Sequence, residues 1–184
     1  MAMAMDMGGS NVRVTKYRLM GNGVLEIVKE VKKVFPEEYL TGNADQVFGF
    51  LADCIKETSP ETNMKFGFTF SFPCEQTAIN RSKLMIWTKG FAATGCIGKD
   101  PVMLLEKALQ ERGIDMKVTA FCNDTVGTLI SRSYSDPNTA VGIILGTGCN
   151  AAYMENVDRI TKMKVKSRTG KMIINMECGA TGDG

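Results

Sequence analysis

Histidine is missing altogether from the 184 residues, which excludes serine–histidine triads and most zinc sites. Proton transfer in such a chain falls to Asp, Glu, Lys or Tyr. The six cysteines (Cys54, Cys74, Cys96, Cys122, Cys149 and Cys178) contain no CxxC pair. They read as reduced residues in or near a core, without a disulfide framework. No apolar run is long enough to span a bilayer. The opening MAMAMDMGG lacks both the basic start and the long apolar core of a signal peptide, so cytoplasm is the expected compartment. A formal net charge of +2 is too small a basic field to point to nucleic acid. The glycine turns lack a GK[ST] sequence and precede strands, which excludes a Walker loop. What is present, 44% hydrophobic and 23% charged residues, is ordinary for a globular protein. The length allows one full domain and part of a second.

Periodicity orders the chain. Residues 2–6 read as a short buried strand, GGS as a turn, and NVRVTKYRL as an alternating strand. GNG at 21–23 signals a hairpin into VLEIVKEVKKVF. Val47, Phe48, Leu51 and Ile55 fall at helical spacing and predict a helix over 43–57. KFGFTFSFP (65–73) is an aromatic strand stopped by Pro73. Asp100-Pro101 opens a helix that Gly113 ends. MKVTAFC is a strand, followed by a helix over 124–134 closed at Asp136-Pro137. The order β-β-β-α-β-α-β-α implies an α/β fold with a mixed sheet covered on both faces. TAVGIILGTGCNAAYME (139–155) then repeats the strand, glycine turn and strand of the first residues. A second domain of similar topology is therefore expected to begin near residue 139. MIINMECGATGDG (172–184) supplies at most its third strand and a loop.

Each candidate motif has a plain reading beside a chemical one. DMGGSN (6–11) is either a tight hairpin with a G1 bulge or a turn whose backbone N–H groups face phosphate oxygens, with Arg13 adding charge. GTGCN (146–150) carries the same pair of readings. In WTKGF (87–91), Lys89 either snorkels outward or holds an ammonium on a sugar hydroxyl or phosphate. Asn123-Asp124 joins a strand to a helix, so Asp124 is a helix cap or a catalytic base at a strand end. Glu177 ends a strand and is either solvated or functional. The basic stretch 159–171 reads as a solvated hairpin. Asp6, Ser71, Asn123, Asp124, Asn150 and Glu177 all lie at strand ends, a set suited to a polyhydroxylated acceptor in phosphoryl transfer.

In order and spacing, DMGGSNVRV, GFTFSFPCEQTAIN, IWTKGF, CNDTVGT, GIILGTGCNAAYME and INMECGATGD resemble the eukaryotic-type hexokinases, from Asp6 to the last residue. The resemblance implies an actin-like ATPase (ribonuclease H-like) fold of two lobes closing around hexose and MgATP. It implies transfer of the ATP γ-phosphate to the 6-hydroxyl of glucose or a related hexose, the entry step of glycolysis. Carried over by motif, Asp124 is the general base. Ser71, Thr88, Lys89, Asn123, Asn150 and Glu177 are the hexose set, and Lys89 also steadies the phosphoryl group. Asp6, Gly8, Gly9, Ser10, Asn11 and Arg13 form the first phosphate loop, and Gly146, Thr147 and Gly148 the second. No protein side chain is expected to bind the metal directly. Residues 1–122 correspond to the small lobe, 124–134 to a linking helix, and 139–184 to the start of a large lobe left unfinished. Ser10 replaces a usual Thr, Cys178 a usual Trp and Thr181 a common Phe. The alternative is a hexose-binding or regulatory fragment without turnover.

Overall fold

Along β1 (Ala2–Met7), Met3, Met5 and Met7 are buried while the residues between them are not. That period of two makes a strand with one buried face. It belongs to a computed structural model that describes residues 1–59, 61, 63–146, 148–162 and 167–180. The chain divides into two units, Met1–Cys122 and Asn123–Gly184.

In the first unit, β1 pairs antiparallel with β2 (Asn11–Gly21), which pairs antiparallel with β3 (Val24–Val34). The β2–β3 turn is Gly21, Asn22 and Gly23, all with positive φ. A short helix α1 (Glu37–Leu40) precedes α2 (Ala44–Thr58). Next come β4 (Lys65–Phe70), the hairpin β5 (Cys74–Ala78) and β6 (Arg81–Leu84), then α3 (Pro101–Glu111) and β7 (Val118–Cys122). β4 pairs parallel with both β1 and β7, giving the mixed sheet β3-β2-β1-β4-β7.

Phe66, Phe68 and Phe70 of β4 lie on the same buried face as the β1 methionines, in one cluster with Val47, Leu51 and Ile55 of α2 and Val102, Leu105 and Leu109 of α3. The intervening residues, Ala4, Asp6, Gly67 and Thr69, remain accessible. Within this unit the sheet is therefore covered on one face, not on both. Clean alternation is the signature of one-sided burial, whereas double coverage needs continuous apolar runs. The β5–β6 hairpin was not legible from periodicity because β5 is exposed on both faces. It closes the outer edge of β7: Phe121 N–H donates to the Ile79 carbonyl at 2.8 Å, and Gln76 Nε2 donates to the Phe121 carbonyl at 2.7 Å.

Helix starts follow local chemistry. Asn43 and Gln46 form a reciprocal capping box, with backbone-to-side-chain bonds of 3.0 and 2.9 Å. Asp100 accepts from Val102 N–H at 2.8 Å, with Pro101 at the first helical position. Arg112 forks onto Asp53 at 2.6 and 3.0 Å, and so ties α3 to α2. Its guanidinium holds the Asp53 carboxyl below the usual range.

The second unit begins with α4 (Asp124–Ser135), followed by the antiparallel sheet β8 (Val141–Leu145), β9 (Cys149–Asn156) and β10 (Lys171–Asn175), in the order β10-β9-β8. Small residues let α4 sit low on this sheet. A Cβ at Gly142 would lie 2.9 Å from the Cβ of Leu129 and 3.0 Å from the Thr125 carbonyl. Thr125, Leu129 and Ala152 are buried in that contact. No helix among the described residues is long and apolar enough to cross a membrane.

All six cysteines are free thiols. Burial pushes Cys54 and Cys96 up to about 11, while Cys149 is exposed. At pH 8 an aromatic disulfide reagent is expected to label Cys149 in the native protein and to reach Cys54 and Cys96 only after unfolding, as read by mass spectrometry. Below about pH 9 both states keep these two protons. Between about pH 9 and 11 only the unfolded chain loses them, so stability should fall as pH rises through that window. Asn43→Ala is expected to cost about 1 kcal/mol in urea unfolding. Gln46→Ala should then add little, because the box acts as a unit.

Candidate functional site

In the first unit the glycine turn, Ser71 and Lys89 come together. Gly8 N–H donates to the Asn11 carbonyl at 2.9 Å and closes the β1–β2 turn, and Asn11 Nδ2 donates to Ser10 Oγ at 2.8 Å. Neither Gly8 nor Gly9 has positive φ, so this is not a G1 bulge. Glycine is needed at position 9 for a different reason: a Cβ there would lie 2.6 Å from Cδ and 3.0 Å from Cβ of Lys89. The Lys89 stem thus runs across the turn. Its Nζ donates to the Ser71 carbonyl at 2.9 Å and stands 5.7 Å from the Phe72 ring centroid. The ammonium is pinned.

Buried aromatics hold these polar residues. Ser71 lies between Phe70 and Phe72, and Thr88 and Lys89 lie between Trp87 and Phe91. Trp87 packs edge-on against Phe72 at 4.7 Å and stacks on Phe91 at 5.2 Å, and its indole N–H donates to the Ala93 carbonyl at 2.9 Å. Lys89 itself has φ of +57°, and Gly90 follows at +83°. Ser71 continues the sheet through its N–H to the Met7 carbonyl at 3.1 Å. Asp6 lies opposite Thr69 in the β1–β4 register and accepts its hydroxyl at 2.7 Å, and Arg13 is exposed opposite Asp6 on β2.

The second unit gathers the other polar candidates. The N-cap of α4 is Asn123, not Asp124: Asn123 Oδ1 accepts from Thr125 N–H at 2.9 Å. Asp124 is the first helical residue, where the helix N-terminus favours negative charge. Its Oδ1 accepts from the same N–H at 2.8 Å, so it shares the capping work from one position further in. Asn123 Nδ2 and Asn150 Nδ2 reach Glu177 Oε1 at 3.5 and 3.4 Å, and Asn150 Nδ2 lies 3.4 Å from Asn123 Oδ1. Asn175 joins this group although strand periodicity does not single it out. It stands two residues before Glu177 and donates to its Oε1 at 2.7 Å. Glu177 has φ of +48°.

In the second glycine turn, Gly146 N–H donates to the Gly148 carbonyl at 2.9 Å. Thr147 lies outside the described residues. So do Thr181, which departs from the family pattern, and part of the basic stretch 159–171, whose described ends run from β9 into β10.

These features define the class before the family: a mixed-sheet α/β fold with glycine turns between antiparallel strands and polar side chains at strand ends. A hexokinase from Schistosoma mansoni complexed with glucose superposes with a TM-score of 0.85 at 35% identity, covering 99% of this chain and 42% of that one. Family profiles described as Hexokinase match residues 1–134 and 140–184. Among curated proteins, Hexokinase-2 of Rattus norvegicus is 43% identical over 98% of this chain, and Hexokinase-7 of Oryza sativa is 39% identical over 96%. The chain belongs to the hexokinase family, with its actin-like ATPase fold. It spans 20% of the rat protein's length and 40% of the rice protein's.

The clash at Gly9 makes a pairwise prediction. Gly9→Ala is expected to cost about 1–3 kcal/mol by overpacking against Lys89. Part of that cost should vanish in a Lys89→Ala background, which removes the Cδ contact at 2.6 Å and keeps the Cβ at 3.0 Å, a non-additivity that a denaturation cycle measures directly.

Proposed function

We propose that this chain is part of a sugar kinase that transfers the γ-phosphoryl group of ATP to the 6-hydroxyl of glucose or a related hexose. The observation that carries the reading is the amide-and-carboxylate group Asn123, Asn150 and Glu177, tied to the helix start that bears Asp124. Sugar hydroxyls donate and accept at once, and such a set offers both kinds of partner. Glucose is the first candidate because the similar schistosome hexokinase was solved in complex with it.

Asp124 takes the proton of the sugar 6-hydroxyl as general base, a role open to a carboxylate in a histidine-free chain. Its Oδ1 is fixed by the helix N-terminus, so the carboxylate is oriented before substrate arrives. Ser71, Thr88 and Lys89 complete the hexose set, and the pinned Lys89 ammonium also meets the charge of the transferred group.

The donor chemistry of residues 8–13 fits a polyphosphate. Gly8 puts no Cβ in the way of an approaching phosphate, Gly9 makes room for the Lys89 stem, Ser10 and Asn11 supply polar side chains, and the Arg13 guanidinium is exposed. Gly146, Thr147 and Gly148 are assigned to the same ligand. ATP with magnesium, when bound there, supplies the phosphoryl group.

The test is glucose-dependent ADP release by the purified chain beside Asp124→Asn, with melting curves in glucose. The expected result is turnover in the parent that falls at least about a hundredfold in Asp124→Asn, together with a rise in Tm on adding glucose. A glucose-dependent Tm shift without turnover would instead favour a hexose-binding or regulatory role. Absence of both responses would overturn the sugar-kinase reading of this chain.

A further inference from the structure

Five contacts join Asn123, Asn150, Asn175 and Glu177, and their lengths are unequal. The three among Asn123, Asn150 and Glu177 span 3.4–3.5 Å, at the outer limit of a hydrogen bond. The two short ones both involve Asn175: Asn150 Nδ2 donates to Asn175 Oδ1 at 2.8 Å, and Asn175 Nδ2 donates to Glu177 Oε1 at 2.7 Å. From this we infer that Asn175 is the positioning residue of the hexose set, the side chain that aims Glu177 and Asn150. The assignment rests on the hexose reading above.

The backbone explains why such a residue is needed. β10 pairs with β9 up to Asn175 opposite Ala152, and Met176 N–H still donates to the Ala151 carbonyl at 2.9 Å. Glu177 then leaves the ladder in the left-handed region, a conformation that a non-glycine residue keeps only where its surroundings enforce it. Asn175 is the last ladder residue before that bend, and its side chain reaches Glu177 across it. Its donated hydrogen bond ends on a carboxylate, the stronger charge-assisted kind.

The residue type is also specified. Asn150 Oδ1 accepts from Ala151 N–H at 2.8 Å, which orients the amide so that Nδ2, a donor, faces Asn175. Position 175 must therefore accept at one end and donate at the other, over a side chain of this length. Asparagine meets both demands. An aspartate in its place meets them only while protonated. Among the described residues the three amide donors to Glu177 arrive at Oε1, which fixes that oxygen, and Oε2 is the atom assigned to a sugar hydroxyl.

The experiment measures glucose affinity by calorimetry from about pH 5 to 8.5 for the parent chain, Asn175→Ala and Asn175→Asp, with circular dichroism confirming that each remains folded. The expected result is a flat profile for the parent and binding weakened about ten- to hundredfold at every pH in Asn175→Ala, as for loss of a hydrogen bond to a charged group. In Asn175→Asp two carboxylates meet at high pH and binding is lost. On acidification one proton is retained between them, the carboxylic acid introduced at position 175 donates as the amide did, and affinity recovers toward the parent. The nearby titratable side chains Asp124, Cys149 and Cys178 are common to all three proteins, so differences in profile report on position 175. A merely structural asparagine would give no acid recovery in Asn175→Asp, and that result overturns the inference. Unchanged affinity in Asn175→Ala overturns it as well, with the hexose reading intact. If the parent itself binds no glucose, the hexose reading falls and the assignment of Asn175 falls with it.

Discussion

Polar side chains that must hold a fixed direction need something rigid behind them, and in the first unit that support is aromatic. Phe70, Phe72, Trp87 and Phe91 pack ring to ring at 4.7–6.0 Å. Each contact adds about 0.5–1.5 kcal/mol beyond the area it buries. Because Ser71 lies between Phe70 and Phe72 in the chain, and Thr88 and Lys89 between Trp87 and Phe91, the ring contacts join segments 70–72 and 87–91 into one body. The left-handed backbone at Lys89 is tolerated only in such a setting. Rigidity of this kind lets a four-carbon side chain act as a fixed charge instead of a mobile one.

The second unit solves the same problem with small residues and amides. Gly142 and Ala152 allow α4 to lie close on the sheet, which carries Asn123 and Asp124 to the strand ends. Asn123 caps its helix through Oδ1 and addresses Glu177 through Nδ2, so one side chain couples helix geometry to the polar group. Of the three non-glycine residues with positive φ among the described residues, Lys89 and Glu177 belong to the candidate site, and Asn22 lies in a hairpin turn between two glycines. Strain is concentrated where chemistry is proposed.

Much of this fold was legible in the sequence because its signals are local. Alternation marked β1 and β4, helical spacing marked α2, and Asp100-Pro101 marked the start of α3. The β5–β6 hairpin escaped because β5 is exposed on both faces and carries no period. One-sided coverage of the first sheet is a tertiary fact that element order does not contain. The cap falls one residue before Asp124, and a sequence cannot separate the two positions because Asn and Asp are comparable capping residues standing side by side. Within the site, residues at strand ends were readable from polarity. Asn175 was not, since it reads as the end of an apolar strand and acquires its partners only when β9 lies beside β10. The left-handed turns at Lys89 and Glu177 were equally hidden, as nothing but glycine announces that conformation in a sequence.

Trp87 is the single tryptophan in the chain, two residues from Lys89 and buried among phenylalanines. Its emission is therefore a built-in optical signal from one loop, free of background from any other indole. Stacking on Phe91 and the bond to the Ala93 carbonyl fix its surroundings, so a change in colour or lifetime reports movement of residues 87–93 and little else. Any rearrangement of this loop can therefore be timed without attaching a dye.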